Sequence, residues 1–173
     1  MLYRVIIRDL AVAALKCAGT MAGENVFVGR SLPIGERNLP ALYLQIYEDR
    51  GESPGPAQVQ FERTSTMGAR GYVSAGTPSK VEALLDRFAE EIELALMRDV
   101  TLQAAICQVS EFSTATEVTS EGSAHIGEFK MILGFQYIET YPPDGVPLTE
   151  IDATLRTADQ PVFAGMTVEF PSE

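Results

Sequence analysis

The sequence has 173 residues, of which 46% are hydrophobic and 21% charged, and its formal net charge is -11. This length and composition predict one globular domain with a sizeable core and exclude a disordered chain. The negative charge argues against gripping nucleic acid or an anionic membrane surface, because both need clustered lysine and arginine.

The chain opens with a predicted helix over residues 3–18 that ends before Gly19, since its apolar residues recur at spacings of three and four. A short strand at 25–29 and a loop around Pro33 and Gly35 are predicted next. The predicted inward stripe of the helix is Ile6, Leu10, Ala13, Ala14 and Cys17.

Residues 41–47 alternate in character and predict a strand with aliphatic side chains on one face and tyrosines on the other. Residues 48–56 are charged and rich in proline and glycine, so we expect an exposed loop or long hairpin tip. Further strand is predicted over 58–64 and 68–75, with a break or bulge near Met67.

The second predicted helix starts with Thr77 as its cap and Pro78 in its first turn, and it ends near Arg98. Its acidic residues are expected to face water. Its inward stripe is predicted as Val81, Leu84, Leu85, Phe88, Ile92 and Leu96.

After this helix the pattern changes to β. Residues 103–112 predict a mostly apolar strand, and 128–140 predict an alternating one. The polar stretch 114–124 suits either a hairpin loop or an exposed strand extension. Two weaker strands follow at 150–157 and 162–170, with Ile151, Ala153 and Met166 among their predicted inward residues.

This order of elements predicts an α+β fold, with two main helices packed on one face of a mostly antiparallel sheet. We expect residues 1–145 to form the α+β domain and residues 146–173 to be a C-terminal β extension of the same domain. Arg8 and Asp9 interrupt the apolar start, so no signal peptide is predicted, and we expect folding in a cytoplasm.

No catalytic, cofactor-binding or metal-binding residues are predicted, and we do not expect an enzyme. His125 is the single histidine and is expected in a solvent-exposed turn. Cys17 and Cys107 are predicted as buried free thiols, with one disulfide bridge as the alternative.

Four stretches resemble the tail terminator (minor tail, tail-completion) proteins of long-tailed bacteriophages. They are the helix segment 9–16, the pair 26–30 and 39–44, the helix segment 85–93 and the strand pair around 109–141. The order and spacing of these stretches carry the resemblance, which covers most of residues 1–141.

The resemblance implies a virion protein whose copies close into a ring, typically a hexamer. Such rings cap the tail tube, end its polymerisation and join it to the head. The implied partners are sister copies, the tail tube protein and a head–tail connector or neck protein, with genomic DNA passing unbound and no membrane. The implied location is the tail or neck of the virion, and the host cytoplasm during assembly.

Exposed strand edges and polar segments are the expected ring contacts. Tyr43 and Tyr47 could instead pack under the first helix, and the sequence leaves both options open. The candidate interface residues are Tyr43, Tyr47, Glu48, Asp49, Arg50, Glu52, Thr116 and Glu117.

Three other functions compete with the tail terminator. The first is another neck or head–tail completion protein. The second is a small-molecule binding protein or hydrolase, which needs a deep apolar pocket with convergent polar groups. The third is an acidic inhibitor that mimics nucleic acid, which needs regular rows of carboxylates.

Overall fold

The computed structural model of the chain describes residues 2–29, 38–56, 59–121, 124–141, 150–156 and 162–169. The chain divides into two compact units, Met1–Thr140 and Tyr141–Glu173. The predicted loop around Pro33 and Gly35 lies outside the described residues.

The described residues of the first unit form three helices and a five-stranded sheet, and the predicted α+β class is confirmed. The strand order is β1-β2-β3-β5-β4, in which β1 runs parallel to β2 and every other neighbouring pair is antiparallel. The elements are α1 Tyr3–Cys17, β1 Val26–Val28, β2 Ala41–Glu52, β3 Gln60–Ala75, α2 Pro78–Arg98, α3 Val100–Ala104, β4 Gln108–Glu121 and β5 Ala124–Thr140.

Helix α1 forms as predicted, but it buries a different stripe. The buried residues are Ile7, Ala11, Ala14 and Leu15. Of the predicted stripe Ala14 is buried, whereas Ala13 and Cys17 are exposed, because apolar residues surround much of this helix and periodicity alone leaves its rotation undecided. Tyr3 fixes the rotation: its ring stacks on Tyr137 at 4.8 Å and its hydroxyl donates a hydrogen bond to the Ala105 carbonyl at 2.8 Å.

Helix α2 buries the predicted stripe, apart from Leu84, which is half-buried. Phe88 packs edge-on against Phe129 of β5, with ring centroids 5.3 Å apart. Thr77 occupies the cap position but its side chain makes no capping hydrogen bond. Burying Val81, Leu85, Phe88, Ile92 and Leu96 contributes roughly 1.5–3 kcal/mol per side chain, so this seam anchors the domain.

The stretch after α2 differs from its predicted strand. Residues Val100–Ala104 form α3, because the Asp99 carboxylate accepts a hydrogen bond from the Leu102 backbone at 2.7 Å and caps a short helix. Strand β4 then starts at Gln108. The polar stretch from Thr114 is strand as far as Glu121, which confirms the second of its two predicted forms.

Strand β2 continues to Glu52 and pairs there with Glu62 of β3, so residues 48–52 belong to a long hairpin, the second of the two predicted forms, and the loop form was wrong for them. Strand β3 runs without a break and pairs with β5 in one register along its whole length. The bulge lies in β2 at Tyr47, between the partners of Met67 and Thr66. The predicted bulge near Met67 was therefore assigned to the wrong strand of the pair, although to the right level of the sheet.

The core lies between the helices and one face of the sheet. Alternate residues of β5 point into it, as predicted. They are Phe129, Met131, Leu133, Phe135 and Tyr137. Gly71 of β3 lies beneath the Phe129 ring, where a Cβ would overlap the ring.

The second unit is an antiparallel pair of strands, β6 Glu150–Arg156 and β7 Val162–Glu169. The predicted inward placement of Ile151, Ala153 and Met166 was wrong, because all three are exposed. A two-stranded hairpin has no second layer of its own to cover such side chains.

Candidate assembly surface

No described element of the first unit packs on the face of its sheet opposite the helices. Tyr43 lies on this face, with its ring 5.4 Å from Phe27 of β1 and 5.9 Å from Tyr72 of β3. These three rings form an aromatic row across β1, β2 and β3. Packing of Tyr43 under α1 is therefore wrong, and its subunit-contact alternative stays a prediction.

Tyr47 also lies on this open face, and its side chain is largely exposed. Its ring covers Gly68, where a Cβ would overlap it. The Arg70 Nε donates a hydrogen bond to the Tyr47 hydroxyl at 3.1 Å, and this bond raises the pKa of Arg70 above its ordinary value. The bulge thus displays an aromatic ring next to a fixed positive charge.

Charges are unevenly distributed on the open face. The Tyr72 hydroxyl donates to Glu128 at 3.1 Å, and burial followed by the Glu128 charge raises the pKa of Tyr72. Lys130 lies 3.9 Å from the same carboxylate. The strand registers place more carboxylates than cations here. The acidic residues are Glu48, Glu52, Glu62, Glu111, Glu117 and Glu128, and the basic ones are Arg50, Arg70 and Lys130.

Asp49 is not on the surface, contrary to its predicted place in an exposed loop. Its side chain is only 2% exposed and accepts hydrogen bonds from Ser65 at 2.9 Å, from Tyr137 at 3.0 Å and from Arg63. The cause is the bulge at Tyr47, which adds one residue and turns Asp49 to the helix side. Asp49 therefore stabilises the fold and is removed from the interface candidates.

Arg63 extends this buried polar cluster toward the end of the sheet. It donates to Glu139 at 2.8 Å as well as to Asp49, and Arg4 of α1 lies 3.8 Å from Asp49. Burial, opposed by the Ser65 hydrogen bond, raises the pKa of Tyr137 to about 12. Sequence reasoning missed this cluster because its members lie on four separate elements and share no local pattern.

The remaining candidates occupy two different edges of the sheet. Glu48, Arg50 and Glu52 are exposed on β2, where Arg50 donates to Glu48 at 2.8 Å. Thr116 and Glu117 are exposed on β4. Strands β3 and β5 separate the two groups, a distance of roughly 14 Å at the usual strand spacing.

Strand β4 is the outer strand of the sheet and is 14 residues long. It has no proline and no lysine, two residues that commonly block pairing at a strand edge. Phe112 and Val118 point to the helix side and stay 42% and 39% exposed. This edge offers free backbone groups and partly uncovered apolar side chains.

The other edge belongs to β2, because β1 pairs only with Leu42–Leu44. Among the described residues of the first unit, no strand pairs with β2 from Gln45 to Glu52 on this side. A groove of about 360 Å³ follows this edge, between β2 and the first turns of α1. Arg4 and Arg8 line it on the helix side.

The described residues hold no cluster of three or more His, Cys, Asp or Glu side chains placed to bind a metal ion. None of the described helices is both long and apolar enough to cross a membrane. His125 lies half-buried in β5, not in an exposed turn. Cys17 and Cys107 are both free and exposed, so their predicted burial was wrong.

The chain matches no sequence profile of a known protein family, and it has no significant similarity to a curated protein sequence.

Proposed function

We propose that this chain is a structural subunit of a long-tailed bacteriophage virion. Its copies form a closed ring, typically of six, which caps the tail tube, ends tube polymerisation and joins the tube to the head connector. This proposal rests on the resemblance of residues 9–16, 26–30, 39–44, 85–93 and 109–141 to the tail terminators, together with the arrangement of the sheet edges.

One observation carries the assembly part of the proposal: the candidate contact segments lie on opposite edges of one sheet. A ring needs a heterologous contact, in which one surface of a copy meets a different surface of the next. The β2 segment with Glu48, Arg50 and Glu52 and the β4 segment with Thr116 and Glu117 supply two such surfaces. Both are exposed in the single chain.

The charge of the chain fits a passage for DNA. Six copies carry a net charge of about -66, since each carries -11. A wall with this sign repels the DNA backbone and lets it pass without binding. We therefore expect acidic side chains to outnumber basic ones around the central channel.

The test measures binding of the protein to tail tube subunits and to the head connector. Purified protein is mixed with tail tube subunits and, separately, with the head connector, and each mixture is sedimented. We expect the protein to bind tube ends and to shorten the tubes that form. Binding to the connector alone would contradict the terminator role and support a neck or head–tail completion protein.

A matched pair of variants tests whether the β4 edge is the surface that makes the contact. Glu117→Arg changes the charge on the β4 edge, whereas Glu82→Arg makes the same change on the exposed face of α2. We expect Glu117→Arg to weaken assembly and Glu82→Arg to leave it unchanged. Equal behaviour of the two variants would contradict a contact at the sheet edge.

A further inference from the structure

We propose that the free edge of β4 in one copy pairs with the free edge of β2 in the next copy, so that the sheet continues across the ring contact. This inference rests on the proposed ring and specifies its interface. The occupant of the β2 edge is thus a second copy of this chain.

Both edges have backbone groups to offer. Strand β4 pairs with β5 on one side only, and β2 beyond Leu44 pairs with β3 on one side only, among the residues that the structure describes. An unpaired edge is a template for another strand. The free part of β2, Gln45–Glu52, is shorter than β4, so one strand can cover the other.

Strand direction also fits. Strands β2, β3, β5 and β4 alternate in direction along the sheet. A copy rotated about an axis roughly parallel to the strands brings its β2 antiparallel to β4 of its neighbour. The antiparallel alternation then continues through the contact, with the open face of one copy adjoining the open face of the next.

Charge selects the partner of β4. Glu117 makes no hydrogen bond or ion pair within the described part of the chain, and it lies opposite another carboxylate, Glu128, in the β4–β5 ladder. Like charges directly opposite each other destabilise a strand pair. An antiparallel β4–β4 contact centred on Glu117 would oppose two more glutamates, whereas the β2 edge offers Arg50, which donates to Glu48 and stays 71% exposed.

This pairing sets a register. With Glu117 opposite Arg50 in an antiparallel ladder, Ala115 falls opposite Glu52 and Thr119 opposite Glu48. No like charges then face each other directly across the contact. On the helix side, Val118 approaches the groove that Arg4 and Arg8 line, where its exposed methyl groups gain cover.

Disulfide cross-linking tests the register. Cys17 and Cys107 are exposed and are first replaced by serine. Ala115→Cys and Glu52→Cys are then combined in one chain, because residues directly opposite in an antiparallel pair lie about 4.5–5.5 Å apart at Cα, within disulfide reach. We expect a ladder of covalent oligomers on oxidation, ending at the ring size.

Three controls interpret the result. Ala115→Cys alone should give no covalent dimer, and a dimer would establish β4–β4 pairing instead. Thr119→Cys with Glu52→Cys is displaced by four residues, roughly 13 Å, and should not cross-link. Cross-linking of this displaced pair in place of the first would overturn the register.

Charge reversal gives a second readout in the chain without added cysteines. Glu117→Arg and Arg50→Glu should each weaken ring formation, by roughly two- to fivefold per contact, and the double variant should restore it. Rings that sediment normally but give no ladder and no rescue would overturn this pairing and leave the proposed function standing. The absence of rings at every concentration, with and without tail tube subunits, would overturn both.

Discussion

The hydroxyl of Tyr137 on β5 donates a hydrogen bond to the buried carboxylate of Asp49 on β2, at 3.0 Å and across 88 positions of the chain. The Asp49 side chain also accepts hydrogen bonds from Ser65 and Arg63 on β3, the strand between them. This contact fixes the end of the sheet that lies beneath the start of α1.

Replacing Asp49 should therefore unfold the domain at lower denaturant concentration. Asp49→Asn leaves the Arg63 charge without one of its carboxylates and should cost about 2–4 kcal/mol. The matched control is Glu48→Gln, one residue earlier and exposed, which should change stability by less than about 0.5 kcal/mol. Urea unfolding measures both, and equal midpoints would contradict the burial of Asp49.

Alkaline pH should reveal the environment of Tyr137. Its folded pKa of about 12 exceeds its ordinary value of 10.0, so folding favours the neutral phenol. Its contribution to stability is present below pH 10 and is lost as the pH rises from 10 toward 12. Titration of tyrosinate absorbance should show a step near pH 12 from Tyr137, besides the raised step of Tyr72.

The Tyr137→Phe variant identifies that late step. We expect it to lose the tyrosine that ionises near pH 12. A variant that loses an early step instead would place Tyr137 in water and contradict its contact with Asp49.

The seam between α2 and the sheet should not tolerate charge. Leu85 is fully buried, and Leu85→Asp places an unpaired carboxylate there, at a cost above about 4 kcal/mol. Leu94→Asp makes the same change at a 37% exposed position of the same helix and should cost less than about 1 kcal/mol. Circular dichroism melting compares them, and similar melting temperatures would refute this orientation of α2.

Two glycines of β3 should respond differently to alanine, although each lies beneath an aromatic ring. At Gly71 the added Cβ meets Phe129, which is fully buried and cannot move, so Gly71→Ala should cost about 1–3 kcal/mol. At Gly68 it meets Tyr47, which is 47% exposed and can turn away. Gly68→Ala should therefore lower the stability less in chemical denaturation. The reverse order would contradict the assignment of Gly71 to the core face and of Gly68 to the open face of the sheet.

The sequence predicted those parts of the fold that depend on local periodicity. The stripe of α2 and the alternation of β5 belong to this class, because each has one clearly apolar face. The rotation of α1 could not be predicted, since it depends on the contact of Tyr3 with Tyr137 from a distant strand. Helix α3 was missed because a single carboxylate, Asp99, caps it.

The candidate surface was predicted only in part, because local periodicity indicates the strands but not the bulge between them. Tyr47 and Glu117 are exposed on strands that the sequence indicated. Asp49 was misplaced because a bulge at Tyr47 reverses which side chains face the core, and composition made this strand resemble a loop. The burial of the Asp49 charge could not be predicted, because it depends on the ion pair with Arg63 on the adjacent strand.

Electron microscopy of negatively stained, purified protein tests most directly whether copies close into a ring, with and without tail tube subunits. We expect annular particles with a central hole, about 113 kDa for six copies of the 18.8 kDa chain, and more of them at tube ends. Particles of single-chain size that show no annulus, and that leave tube ends bare at every concentration, would contradict the ring.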